Sequence, residues 1–498
     1  MTTRVPAVVL TFIALINAIL SEQVPIKHRQ LSSLSFNTHL VASNVLIARS
    51  TFAADMDGDG DVDLLSTSNG DHLVSWYEND GSQSFTRHNF GDSGSFPGSN
   101  TKPQSVVAAD FDGDGDMDAA ACYLNSNVSW FENDGAQNFT GHIIVATGNP
   151  RNIFAIDLDQ DGDIDILVAS QNGETVDWLE NSGSGSFTLR SIATSIGLSY
   201  AVKAADLDGD GDIDVISQGI SVDKVYWFEN DGNQGFTEHL ISSINPDRPI
   251  YVHAGDFDGD GDIDVVSSNI GTNDILWYEN TGGSFNPSAT PHTVDSDFNN
   301  CWSVDVGDMD NDGDLDIVGA SQGSPHGVFY YENDGTGSFT EHSVDSGAGI
   351  TATFVYIEDI DGDGDNDLAV SWSGDDTIKW YENLLPSPPT ISPSAEPSEL
   401  PSSVPSALPT NQPTSKPSDT PTTQPTSKPT SKPSDTPTTQ PTSEPVKCMN
   451  SYRVITALCT DYPAEDIINY VADTDNCLVK IDEAWTCVPV ENLSCRND

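Results

Sequence analysis

A nine-residue stretch, Asp55-Met56-Asp57-Gly58-Asp59-Gly60-Asp61-Val62-Asp63, constrains this chain more than any other feature. It offers carboxylates at relative positions 1, 3, 5 and 9, a glycine at 6 for a sharp turn and a backbone carbonyl at 7. That is the set an oxygen-coordinated Ca²⁺ takes from one short loop. The stretch occurs seven times, beginning at Asp55, Asp110, Asp157, Asp206, Asp256, Asp308 and Asp359, so successive starts lie 55, 47, 49, 50, 52 and 51 residues apart. A period this regular means one supersecondary unit repeated along the chain.

The candidate ligands are the five aspartates of each copy. They are Asp55, Asp57, Asp59, Asp61 and Asp63; Asp110, Asp112, Asp114, Asp116 and Asp118; Asp157, Asp159, Asp161, Asp163 and Asp165; and Asp206, Asp208, Asp210, Asp212 and Asp214. The last three copies add Asp256, Asp258, Asp260, Asp262 and Asp264; Asp308, Asp310, Asp312, Asp314 and Asp316; and Asp359, Asp361, Asp363, Asp365 and Asp367. Two like charges about 4 Å apart repel by roughly 4 kcal/mol at an effective dielectric near 20, so converging carboxylates need a counter-charge. A solvated acidic loop would explain one such run, but not the same Asp/Gly register seven times. Flexible carboxylate oxygens in this number suit Ca²⁺ better than the smaller Mg²⁺, and about seven ions are expected.

A helix-loop-helix calcium site is excluded, because it needs an acid at position 12. Here that position holds Ser66, Ala121, Val168, Ser217, Ser267, Gly319 and Val370. Position 9 instead runs into β-branched sequence such as Ile166-Leu167-Val168, so the loop joins two strands. After the second strand comes an aromatic-Glu-Asn signature: Trp76 to Asn79, Trp130 to Asn133, Trp178 to Asn181, Trp227 to Asn230, Trp277 to Asn280, Tyr330 to Asn333 and Trp380 to Asn383. A turn such as Asn79-Asp80-Gly81 and a short strand such as Ser84-Phe85-Thr86 complete the repeat. Four strands per repeat predict propeller blades, with the tryptophans in the core. The seventh repeat stops after Asn383 without a fourth strand, whereas Ser35 to Val41 precedes the first loop and matches it. The amino-terminal strand is therefore expected to complete the last blade and close the ring, which removes exposed sheet edges. Residues about 30–385 read as one all-β, seven-bladed β-propeller with four-stranded blades.

An Asp-rich loop in a fifty-residue, four-stranded repeat resembles the FG-GAP and VCBS-type repeats, which also build the seven-bladed head of integrin alpha subunits. The resemblance covers roughly 350 of 498 residues. It implies Ca²⁺ at all seven matching stretches. Integrin alphas carry the loop in only some blades, and no membrane-spanning helix follows here, so integrin-type signalling is not implied.

Outside the repeats the chain changes character three times. Residues 1–21 hold Arg4 and then a mostly apolar run from Val5 to Leu20, the order of a secretory signal peptide, with cleavage expected between Ala18 and Gln23. Residues 386–446 are dominated by Pro, Ser and Thr, and the twelve residues from Pro413 recur identically from Pro429. Such a segment cannot bury a core and reads as a disordered, extended spacer open to O-glycosylation. Residues 447–498 carry Cys448, Cys459, Cys477, Cys487 and Cys495, which in a secreted chain read as a disulfide-stapled module. Five cysteines leave one for a disulfide-linked partner. Sequons for N-glycosylation begin at Asn127, Asn138 and Asn492.

With 19 basic against 77 acidic residues, the formal charge is −58. That excludes nucleic acid as a partner and disfavours anionic membranes. Catalysis is equally hard to find. His39, His88, His142, His239 and His342 each stand three residues after a fourth-strand Phe, and His292 is a shifted sixth, so they read as structural. Gly91-Asp92-Ser93-Gly94 imitates a nucleophile motif without placed partners, and no metalloprotease helix or phosphate-binding loop is present.

Specific function should sit in what breaks the repeat. Six residues before each loop, at the entry of the inner strand, stand Arg49, Gln104, Arg151, Tyr200, Ile250, Trp302 and Thr353, a row that changes from blade to blade. Variable segments Gly91–Gln104, Ser195–Ser199 and Asn286–Cys301 fall at the same end of the blades. A ligand face built from Arg49, Gln104, Arg151, Tyr200 and Trp302 is suited to a sugar or an acidic peptide. The expected role is non-enzymatic: a secreted, calcium-binding recognition or adhesion module for an extracellular glycan or protein. The alternatives are an extracellular carbohydrate-active lyase or hydrolase on the same scaffold, and a structural cell-wall or matrix component.

Overall fold

The computed structural model describes residues 34–90 and 102–385, except 125–126, 147, 245, 324–326 and 347–350, together with two strands at 476–481 and 484–489. The expected signal peptide 1–21, the spacer 386–446, Ser93 and its motif, Asn492 and most of the Cys-rich segment 447–498 lie outside the described residues.

Each repeat folds into one antiparallel sheet of four strands, in sequence order from the inside outward. In blade 1 these are Ala48–Ala54, Asp63–Ser68, Leu73–Asn79 and Phe85–Asn89. Blade 7 takes Ala352–Glu358, Asp367–Trp372 and Thr377–Asn383 from the end of the repeats and Phe36–Ser43 from their beginning. The register sets Phe36 opposite Asn383 and His39 opposite Trp380. The ring is closed as the truncated seventh repeat predicts. Successive inner strands pack side by side, and blade 7 packs against blade 1.

Burial explains the strand composition. All six residues of the second strand are buried in every blade, because a neighbouring sheet covers each face. These strands accordingly read as near-continuous small and β-branched runs rather than alternating ones. The aromatic signature lies on the third strand, where Trp76, Trp178, Trp380, Tyr330 and Tyr331 are almost fully buried. Asn138 sits in the turn before the strand Phe139–Ala146, with its amide donating to Asp134.

The asparagine that ends the signature fastens one blade to the last. Asn280 Nδ2 donates to Leu207 O of the preceding blade at 2.7 Å and to Ile263 O of its own at 2.9 Å, while its backbone N–H reaches Asp264 Oδ1. Asn181, Asn333 and Asn383 make the equivalent bonds to Phe111 O, Phe257 O and Met309 O. Since Asn280 is wholly buried, Asn280→Ala strands two carbonyls without a donor. We expect a loss of roughly 1–3 kcal/mol, measured as a lowered urea midpoint at unchanged slope.

In the second unit the strands Asn476–Ile481 and Ala484–Pro489 pair antiparallel, with Cys477 opposite Val488 and Leu478 opposite Cys487. Within the propeller Cys122 and Cys301 are buried free thiols.

Candidate functional site

Each loop is shaped by its own carboxylates. Asp55 Oδ1 accepts the Gly58 N–H at 2.8 Å and its Oδ2 accepts that of Gly60 at 3.0 Å. Gly60 has φ +98°, a conformation that L side chains rarely adopt, which is why position 6 is glycine in all seven copies. Asp63, at position 9, accepts from Met56 N–H at 2.9 Å and from Asn79 N–H at 2.7 Å, tying the loop to both ends of its hairpin. The equivalent aspartates are no more than 1% exposed in any blade. Burial drives their carboxyls up, to about 6 for Asp63 and Asp118, about 7 for Asp165, Asp214 and Asp264, and about 8 for Asp316 and Asp367.

The side chains converge on one point per loop. Oxygens of Asp55, Asp57 and Asp63 lie within 4.8 Å of one another, as do those of Asp110, Asp112 and Asp118 and of Asp157, Asp159 and Asp165. Asp206 and Asp208 gather with Asp210, and Asp256 and Asp258 with Asp260. Each carboxylate oxygen has a second lone pair beyond its backbone bond, so the donor set fits a hard divalent cation. The seventh position plays another part. Asp61 lies against the turn at Gly81, where a Cβ would sit 2.4 Å from its Oδ2, and Asp116, Asp163, Asp212 and Asp314 meet Gly135, Gly183, Gly232 and Gly335 in the same way. The first-to-second-strand loop and the third-to-fourth turn thus share one face of the ring, as strand alternation requires.

The histidines are accounted for by a motif that recurs around the ring. His88 stacks on Trp76 with centroids 4.5 Å apart, and its Nε2 lies 2.7 Å from Glu78 Oε2. His39, His142, His239 and His292 do the same with Trp380, Trp130, Trp227 and Trp277, and His342 with Tyr330. Blade 3 substitutes Arg190, which lies over Trp178 and pairs with Glu180. A histidine exchangeable for arginine in the same contact is a packing element.

At the opposite ends of the inner strands the variable row comes together. Arg49, Gln104, Arg151, Tyr200, Ile250, Trp302 and Thr353, one from each blade, line a single open depression of about 60 Å³ on the ring axis, with Tyr251 and Phe354 among its walls. The Arg49 guanidinium lies 5.5 Å from the Trp302 ring centre and that of Arg151 lies 4.8 Å from Tyr200. Arg151 is held by neutral oxygens: its Nη1 donates to Gln104 Oε1 at 2.9 Å and its Nε to Gln171 Oε1 at 2.7 Å.

Three residues further along the inner strands the channel contains a charged group that sequence reasoning missed. Lys203, His253 and Asp305 come from blades 4, 5 and 6. Asp305 accepts from Ile357 N–H at 2.9 Å and lies 3.1 Å from His253 Nε2, while Lys203 Nζ sits over Phe154 and Tyr251. The signal was present: at this offset the row reads Phe52, Val107, Phe154, Lys203, His253, Asp305 and Tyr356, with the charges confined to three adjacent blades.

Comparison with known proteins agrees with this architecture. The FG-GAP-like repeat family matches residues 55–121, 157–217, 206–267, 256–319 and 308–370, more than half of the chain. No curated protein matches it. Among solved structures, BBS1N in complex with ARL6DN is 13% identical, with a TM-score of 0.50 over 71% of this chain and 97% of that one. YCF48 from Cyanidioschyzon merolae is 14% identical, with a TM-score of 0.47 over 69% and 98%. At these identities the likeness concerns the fold alone.

Proposed function

The chain belongs to the FG-GAP-like repeat family, and from that premise we propose that it is a secreted, calcium-stabilised recognition propeller that binds an extracellular glycan or protein without transforming it. The observation that carries this reading is the convergence of a non-repeating row, one residue from each blade, on a single axial depression on the face away from the aspartate loops. The loops recur in every blade, so their role is to hold the scaffold. Calcium is the ion favoured by three or more carboxylates clustered in a short, glycine-turned loop. No helix among the described residues is long and apolar enough to cross a membrane, and FG-GAP repeats are typical of extracellular proteins, which supports the extracellular placement. The stalk-like spacer and the odd cysteine supply a route to attachment at a wall or surface.

The repeated His–Glu contacts stack on core aromatics, and Asp305 is already committed to His253 and a backbone N–H, so neither group supports catalysis. The test is to screen the full chain in Ca²⁺ against extracellular glycans and proteins, alongside Tyr200→Ala, which removes a partly exposed ring from the depression. Retained ligands are expected to come back chemically unchanged, and the variant is expected to lose at least ten-fold in affinity while still unfolding cooperatively. Turnover of the ligand, or binding that ignores the altered depression, would overturn the proposal.

A further inference from the structure

On the reading that the axial depression is the ligand site, we propose that it takes a single carboxylate borne by an acidic sugar of an extracellular glycan, clasped between Arg49 and Arg151. The argument begins with charge. Two of the chain's few cations face one small space in a protein of formal charge −58, and among the described residues no carboxylate is paired with either. Arg49 has a buried Nε–H without an acceptor. Burial, and the nearby charge of Arg151, push its guanidinium below the ordinary value. Buried donors are normally satisfied, and two uncompensated like charges are destabilising at close range. One anion relieves both conditions, and the planar fork of arginine matches a carboxylate.

Size and surroundings narrow the class. The open depression, about 60 Å³, has room for one small anionic group beside the two guanidinium groups. The remainder of the ligand then lies towards the mouth, where the partly exposed rings of Trp302 and Tyr200 offer flat apolar surface of the kind that the carbon face of a pyranose covers. An extended peptide would look for an open strand edge, and the one unpaired edge of each inner strand is crowded at the axis beside the inner strands of the adjoining blades. A densely acidic polymer would also be repelled by the rest of the surface. An isolated uronate in an otherwise neutral oligosaccharide meets neither objection.

The experiment uses the full chain in Ca²⁺ and isothermal titration calorimetry with four probes: methyl glucuronide, methyl glucoside, an oligosaccharide carrying one glucuronate, and hexaglutamate. The glucuronide and the glucuronate oligosaccharide are expected to bind at least ten-fold more tightly than the glucoside. Arg49→Met and Arg151→Met should each abolish that preference with no fall in melting temperature, whereas Arg49→Lys retains part of it. Equal binding of glucuronide and glucoside, with loss in Tyr200→Ala, would overturn the anion assignment and leave the axial ligand site standing. Binding of hexaglutamate in place of the sugars would overturn the glycan class. If nothing binds and the screen of the full chain is indifferent to Tyr200→Ala, both the assignment and the site on which it rests fall.

Discussion

Removing calcium from the full chain is expected to lower its melting temperature by tens of degrees, and metal analysis of the loaded protein should find about seven ions. Each loop gathers carboxylates whose mutual repulsion is on the order of 4 kcal/mol per pair at about 4 Å without a counter-ion. An ion present at 100 times its dissociation constant stabilises the folded chain by about 2.7 kcal/mol per site. Several such sites together exceed the roughly 5–15 kcal/mol by which a protein is ordinarily stable. The pH dependence should be marked without the metal and slight with it. In the metal-free protein the position-9 carboxyls, raised to about 6 to 8, hold protons that the unfolded chain releases. Metal-free stability therefore rises as pH falls from 8 towards the unfolded carboxylate range. In calcium the ion holds the same carboxyls deprotonated, as they are in the unfolded chain, so stability is nearly level over that interval. The gap between the two melting curves should narrow as pH drops from 8 to 6, because the metal-free curve rises. A gap indifferent to pH would mean that the buried aspartates are not ligands, and no gap at all would make the loops a solvated surface.

Much of this architecture was legible because a repeat states each structural requirement seven times. One Asp-rich loop is ambiguous, but its recurrence at a common spacing, followed each time by an aromatic-Glu-Asn strand, fixes blade number and strand order. The missing fourth strand of the last repeat and its counterpart before the first loop give the closure directly. The residues of the axial site could be placed in one row because all seven stand at the same offset from a loop. What they touch could not be read. That Arg49 faces Trp302 and Arg151 faces Tyr200 depends on ring curvature, which brings residues about 50 to 250 positions apart to one axis. The division of labour within a loop was hidden for a similar reason. Asp61 stands with Asp59 among the candidate ligands, yet its carboxylate turns to Gly81, a residue two strands later. Lys203, His253 and Asp305 are separated by about fifty residues each, and only the channel makes them neighbours.

Asp305→Ala is expected to cost roughly 3–5 kcal/mol, the usual consequence of leaving a buried charge without its partner. Burial by itself pushes the Asp305 carboxyl up, but the hydrogen bond from His253 and the charge of Lys203 outweigh it and hold the group below its ordinary range. A depressed carboxyl adds stability above its unfolded pKa that is lost as pH falls through the folded one. Truncation removes the acceptor of Ile357 N–H and the only carboxylate whose attraction opposes the burial of Lys203. The Lys203 ammonium is then left against the rings of Phe154 and Tyr251, whose cation–π attraction, roughly 0.5–2 kcal/mol, is too small to replace an anion. Pairing Lys203→Met with Asp305→Asn should recover most of the loss, since the amide oxygen still accepts from Ile357 and no net charge stays buried. The double-mutant cycle in calcium, read from urea midpoints, measures the coupling directly. A coupling below about 0.5 kcal/mol, with Asp305→Ala near wild type, would show that the group is hydrated from the loop face and that the core of the ring owes it nothing.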